Sequence, residues 1–266
     1  MANTASLQVT RTGQGPDLVL LHGWGMHSGI WHGVIDALEP HYRLHLVDLP
    51  GHGQSQHADS EFDLAQLADE IWQSVSPQLS GPACWLGWSL GGLAAMQIAL
   101  QRPEQVRALI LVASTPRFSQ ADDWPHAMPP ELLESFAAQL REDYRATLQR
   151  FLALQVKGSE SAREALRTLR QRVLETAEVN VTALQSGLTI LKEADLRKPL
   201  SLIRQLPLLL VMGEQDMLVP LAVADVLSET FDDSQAVIIE GAGHAPFVSH
   251  PQTFAQQVMM FLHARQ

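Results

Sequence analysis

Short, mostly apolar runs recur along the chain at Leu18 to Leu21, Leu44 to Val47, Ala83 to Leu86, Ala108 to Val112, Leu208 to Met212 and Ala236 to Ile239. Runs this short and this apolar predict strands buried on both faces. The longer segments between them read as helices or loops, so the order is βαβ and the sheet is parallel. One long interruption breaks the rhythm. Between Pro116 and about Pro207 no strand is predicted, and Pro129-Pro130 opens a series of amphipathic helical patterns through Leu140, Leu154, Leu169 and Leu191. The pattern therefore predicts an α/β core from residues 1–114 and 196–266. Residues 115–195 are an inserted all-helical cap over the carboxyl edge of the sheet, where ligands bind in open α/β folds. No internal repeat or low-complexity tail is visible.

The third run leads into Gly87-Trp88-Ser89-Leu90-Gly91, followed by an Ala- and Leu-rich helix from Leu90 to Leu100. A Gly-x-Ser-x-Gly between strand and helix is the nucleophile elbow of a serine hydrolase. The turn is tight enough to force the serine into an uncommon backbone conformation, and small residues two places to either side relieve the crowding.

A serine hydroxyl is a poor nucleophile at neutral pH, so Ser89 needs a histidine to take its proton and a carboxylate to fix that histidine's tautomer. In α/β-hydrolases the order is serine, acid, histidine, each on a loop after a strand. Leu208 to Met212 is followed by Gly213-Glu214-Gln215-Asp216, which makes Asp216 the expected acid and Glu214 the alternative. Val237-Ile238-Ile239-Glu240 leads into Gly241-Ala242-Gly243-His244, and that position selects His244 from the eleven histidines. His250, before Pro251, reads as structural or surface. The run Leu18 to Leu21 enters His22-Gly23-Trp24-Gly25, the loop that supplies one oxyanion-hole N–H; the other belongs to the residue after the nucleophile. Trp24 and Leu90 are thus the expected main-chain donors, worth about 3 to 4 kcal/mol each in a comparable enzyme. His22 is expected to position its loop. The rings of Trp24 and Trp88 either line an acyl pocket or fill the core.

Composition narrows the setting. With 266 residues, 46% of them hydrophobic, the chain can bury a full core. It has no apolar run of membrane-spanning length, and its first residues lack the basic and apolar regions of a secretory signal. The lone Cys84 cannot form an internal disulfide, so a cytoplasmic location and a role as core filler are expected. No metal or other cofactor is expected: His-Glu-x-x-His is missing, and His41 with His45 has no partner ligands. A formal charge of -11 disfavours nucleic acid and anionic membrane as partners. Against that acidity, the interval Arg141 to Arg172 holds eight basic and four acidic side chains. It reads either as a region that steers an acidic partner or as a solvated helix face.

Together these residues resemble the α/β-hydrolase superfamily. Leu20 to Gly25, Leu44 to Gly51, Trp85 to Gly92, Arg150 to Gln155 and His244 to Phe247 resemble more narrowly the pimeloyl-[acyl-carrier protein] methyl ester carboxylesterases of bacterial biotin synthesis. The elbow is widespread, whereas Gly87 to Leu90 combined with the segment at 150–155 is more specific. The resemblance implies a cytoplasmic, monomeric enzyme that cleaves the methyl ester with Ser89, Asp216 and His244. It implies substrate contacts from Trp24, Trp88, Ser89, Leu90, His244 and the segment Phe151, Leu152, Ala153, Leu154 and Gln155. Acyl-carrier protein would dock on Arg145, Arg150, Arg163 and Arg167; position 146, where that pattern has an arginine, carries Ala146. Two other readings are a broad short-chain carboxylesterase, separated by carrier dependence, and a non-catalytic hydrolase-fold binding protein, separated by labelling of Ser89 with a fluorophosphonate.

Overall fold

In the computed structural model, residues 7–55, 60–155, 167 and 180–265 are described. Seven strands form one sheet: β1 (Val9–Thr12), β2 (Asp17–Leu21), β3 (Arg43–Val47), β4 (Ala83–Trp88), β5 (Val106–Val112), β6 (Leu208–Gly213) and β7 (Ser234–Ile239). Their order is β1-β3-β2-β4-β5-β6-β7, with only β1 antiparallel to its neighbour. The six predicted strands are all present. β1 was not predicted, because Val9-Thr10-Arg11-Thr12 is an edge strand with half-exposed and exposed side chains rather than an apolar run.

Every residue of β2, β4 and β6 is buried, as a sheet covered on both faces requires. Alternate side chains feed two apolar clusters. Val19, Leu21, Trp85, Leu109 and Leu210 pack with helices α2 (Leu64–Val75) and α3 (Leu90–Gln101). Leu18, Leu20, Leu86, Trp88, Ile110 and Val211 pack with α1 (His32–Leu38) and the C-terminal helix 251–263. At the amino end of the strands, Asp17 bonds His45 at 2.8 Å, so His45 pins β3 to β2.

Between β5 and β6 the described residues form α4 (Pro130–Glu142), α5 (Tyr144–Gln155) and α6 (Val181–Glu193). Pro130 opens α4 at a position that tolerates its missing N–H, and the Asn180 side chain caps α6 by accepting from the Ala183 N–H at 2.9 Å. The chain then continues through β6, α7 (Ala222–Thr230), β7, α8 (Pro246–Ser249) and α9 (Pro251–His263). No helix among the described residues is long and apolar enough to cross a membrane.

Candidate active site

Ser89 ends β4 and opens α3 with φ 54° and ψ −117°, a region that side chains other than glycine's rarely enter. The surroundings hold it there. Its N–H donates to the Val112 carbonyl at 3.0 Å, and its own carbonyl accepts from the Gly92 N–H at 2.9 Å and the Ser114 hydroxyl at 2.8 Å. A Cβ on Gly91 would overlap the carbonyls of Leu21 and His22, and one on Gly87 would overlap the Gly91 backbone. The spacing of small residues in the motif thus has a direct steric cause.

Asp216 and His244 come to the same end of the sheet on the loops after β6 and β7. The His244 Nδ1–H donates to Asp216 Oδ2 at 2.8 Å, while Oδ1 accepts from the N–H groups of Leu218 at 2.8 Å and Val219 at 3.1 Å. The side chains are 1% and 0% exposed. An ionised carboxylate is acceptor-only, so this bond puts the ring proton on Nδ1 and leaves a lone pair on Nε2. Nε2 is buried and has no hydrogen-bond partner among the described residues. Glu214 lies elsewhere, accepting from the Gly241 N–H at 3.0 Å. Of the two carboxylates in the loop, Asp216 therefore meets the histidine and Glu214 braces the turn before it.

The loop His22 to Gly25 is fixed by histidines from within and by helices from above. His22 Nδ1–H donates to the Gly23 carbonyl at 2.8 Å, and Nε2 accepts from the Leu49 N–H at 3.0 Å. Burial lowers the His22 pKa to about 3, so it stays neutral and keeps its acceptor. His52 Nε2 accepts from the Gly25 N–H at 3.3 Å. Above the loop, the Trp24 indole N–H donates to the Leu184 carbonyl of α6 at 2.8 Å, and its ring meets Phe151 of α5 edge-on at 4.9 Å. Gly187 of α6 lies beneath the indole, where a Cβ would stand 2.6 Å from Trp24 Cδ1. The main-chain N–H groups of Trp24 and Leu90 make no hydrogen bond among the described residues, which leaves both donors available.

The other expected site residues divide. Phe151 and Leu152 are buried, Ala153 and Leu154 half-buried, and Gln155 buried with its carbonyl accepting the His244 N–H at 2.9 Å. Trp88 points away from Trp24 and Phe151. Its ring packs edge-on against Phe247 at 5.0 Å, and its indole N–H donates to the His244 carbonyl at 2.8 Å. Trp88 was open to two readings, a pocket wall or core filler, and alternation along β4 sends its ring into the core on the face opposite Trp24 and Phe151. Arg145, Arg150 and Arg167 are exposed, with Arg150 bonded to Gln139 Oε1 at 2.6 Å. Arg163 lies outside the described residues. Burial pushes the Cys84 thiol up to about 11, in keeping with a core filler. The roles of His52, Leu184 and Gly187 carried no local signal in the sequence, because each acts on a residue distant along the chain.

The α/β-hydrolase fold family model matches residues 16–251. A pimeloyl-[acyl-carrier protein] methyl ester esterase from Yersinia pseudotuberculosis serotype IB (strain PB1/+) is 49% identical over 245 residues, covering 92% of each chain. The protein of the same name from Pectobacterium carotovorum subsp. carotovorum (strain PC1) is 50% identical over 248 residues, covering 93% of this chain and 94% of its own. Among solved structures, an esterase from Exiguobacterium antarcticum superposes with a TM-score of 0.87 at 23% identity, over 97% of this chain and 95% of that one, a likeness of fold. The chain belongs to the α/β-hydrolase family and, within it, groups with the proteins named pimeloyl-[acyl-carrier protein] methyl ester esterase.

Proposed function

We propose that this protein is a serine carboxylesterase that hydrolyses the methyl ester of pimeloyl-[acyl-carrier protein] methyl ester, releasing methanol and leaving the pimeloyl chain on its carrier as the free acid. The observation that carries the substrate is the 49% identity, over 92% of both chains, to proteins named for that activity. The chemistry is supported by the Asp216–His244 bond of 2.8 Å and by the strained backbone of Ser89. In this reading residues 115–195 are the cap, residues 1–114 and 196–266 the core.

The steps follow from the atoms. His244 Nε2 removes the hydroxyl proton of Ser89 as Oγ attacks the ester carbonyl carbon, and the carbonyl electrons move onto oxygen. The N–H groups of Trp24 and Leu90 receive that oxyanion. Collapse breaks the bond to the methoxy group, which leaves as methanol with the proton from His244. Water, deprotonated by His244, then attacks the acyl-Ser89 ester, and the serine recovers its proton. Asp216 stabilises the imidazolium in both halves. The thioester at the other end of the acyl chain survives because only the distal ester reaches Ser89 when the carrier stands outside the cap.

The test is methanol release from methyl pimeloyl carrier protein, compared with a free short-chain methyl ester. A higher kcat/KM on the carrier-linked substrate, and a loss of at least about a thousandfold in Ser89→Ala, are expected. Equal kcat/KM on the two would favour a broad carboxylesterase, and undiminished turnover by the folded variant would remove Ser89 from the reaction.

A further inference from the structure

The loop that carries His244 is rich in glycine. Gly241 sits at φ 69°, Gly243 brings no side chain, and only the methyl of Ala242 packs into the apolar core. The base nevertheless has to present Nε2 to Ser89 with little tolerance, since a misplacement of about 1 Å can cost about a hundredfold in rate. The bond to Asp216 orients the ring about its own axes but says nothing about where the backbone of residue 244 sits.

The turn before it is braced by bonds at Gly241 and Ala242, and two further hydrogen bonds fix residue 244 itself from opposite sides. The His244 N–H donates to the Gln155 carbonyl at the end of α5, at 2.9 Å, and its carbonyl accepts from the Trp88 indole N–H, at 2.8 Å. The second differs in kind, because it comes from a side chain and because Trp88 immediately precedes Ser89. The main chain of Trp88 leads into the elbow, and its side chain grips the residue that must face the elbow. The indole is fully buried and wedged against Phe247, so the donor is fixed in space. Its ring also lies 5.8 Å from the imidazole, centre to centre. Losing the N–H would strand a carbonyl in an apolar setting and release the loop to seek another partner.

We infer that Trp88 is a positioning residue for the base: its indole N–H holds the His244 carbonyl and so fixes the imidazole relative to the adjacent Ser89. The inference rests on the reading of Ser89, His244 and Asp216 as the catalytic triad. It gives Trp88 a role through another residue, in place of contact with the acyl chain.

Three variants test it, with a free short-chain methyl ester as substrate so that carrier docking plays no part. Trp88→Phe keeps an aromatic ring and deletes the donor. Site-specific replacement of Trp88 by benzothienylalanine deletes only the N–H, sulfur taking its place, and replacement by 4-fluorotryptophan restores it. The first two should lose at least about tenfold in kcat with KM within about twofold, and the acidic limb of the pH profile of kcat/KM should move. The fluorotryptophan protein should match the parent in both. If Trp88→Phe fails to fold, the benzothienyl isostere decides alone. The proposal is overturned if the isostere keeps kcat within twofold, or if KM rises while kcat holds, which would return the ring to the acyl pocket. Ser89→Ala run alongside keeps the two readings apart: if it remains active the triad itself fails, whereas an inactive Ser89→Ala beside an unimpaired isostere defeats only the role of Trp88.

Discussion

Ser89 stores backbone strain that its neighbours sustain, and the glycines of the motif leave the room it needs. The acid is decided differently. Glu214 and Asp216 are both carboxylates on one loop, and the sequence favours Asp216 only because it lies further into that loop. The orientation of the loop ranks them, since Asp216 Oδ2 stands 2.8 Å from His244 Nδ1 while Glu214 bonds the Gly241 N–H. Asp216→Asn should reverse the tautomer and lower kcat by roughly three to four orders of magnitude. Glu214→Gln keeps an acceptor for Gly241 and should stay within about threefold. Steady-state kinetics on any methyl ester distinguish the two, and the opposite ranking would give the orienting role to Glu214.

Among the elements, α5 and α6 are more than a cover. They hold the loop of Trp24 through Phe151, Leu184 and Gly187, and α5 holds the loop of His244 through the Gln155 carbonyl. In the proposed mechanism the N–H donor at Trp24 therefore depends on how α5 and α6 are seated. Gly187→Ala tests the dependence, because the new methyl would stand 2.6 Å from Trp24 Cδ1 and 3.3 Å from Leu90 Cδ2, against the side chains of both residues. A kcat loss of roughly tenfold to a hundredfold on a small ester is expected. Overpacking of about 1 to 3 kcal/mol should also lower Tm by several degrees. A variant with lowered Tm and unchanged kcat would show that the helices pack on the loop without setting its geometry.

At the scale of the whole molecule, charge is unevenly spread. The chain is acidic overall, yet Arg141 to Arg172 is basic, and among its described residues Arg141, Arg145, Arg150 and Arg167 are exposed. Exposed pairs contribute about 0 to 1 kcal/mol each and are screened by salt, so a docking role requires several together. Replacing Arg150, Arg163 and Arg167 by alanine should raise KM for the carrier-linked ester about tenfold and flatten its salt dependence. Hydrolysis of a free ester should stay within about twofold, because that substrate needs no docking. Equal losses on both substrates would point to damage in α5, where Arg150 also lies over the Phe136 ring at 5.7 Å. No loss on either would leave the basic interval as a solvated surface.

The sequence by itself determined the strands buried on both faces, the helix behind the elbow and the chain order of serine, acid and histidine. Each is a local matter: an apolar run, a glycine spacing, a residue just past a strand. The edge strand Val9–Thr12 escaped because half-exposed pairing leaves no apolar run to read. Tertiary structure decided how the Asp216 carboxylate meets the histidine, that Trp24 is anchored on α6 and that Trp88 faces His244 on the side of the sheet away from Trp24. The last two bonds join residues 160 and 156 positions apart. Contacts of that separation depend on how the sheet, its loops and α6 come together, and no periodicity along the chain encodes them.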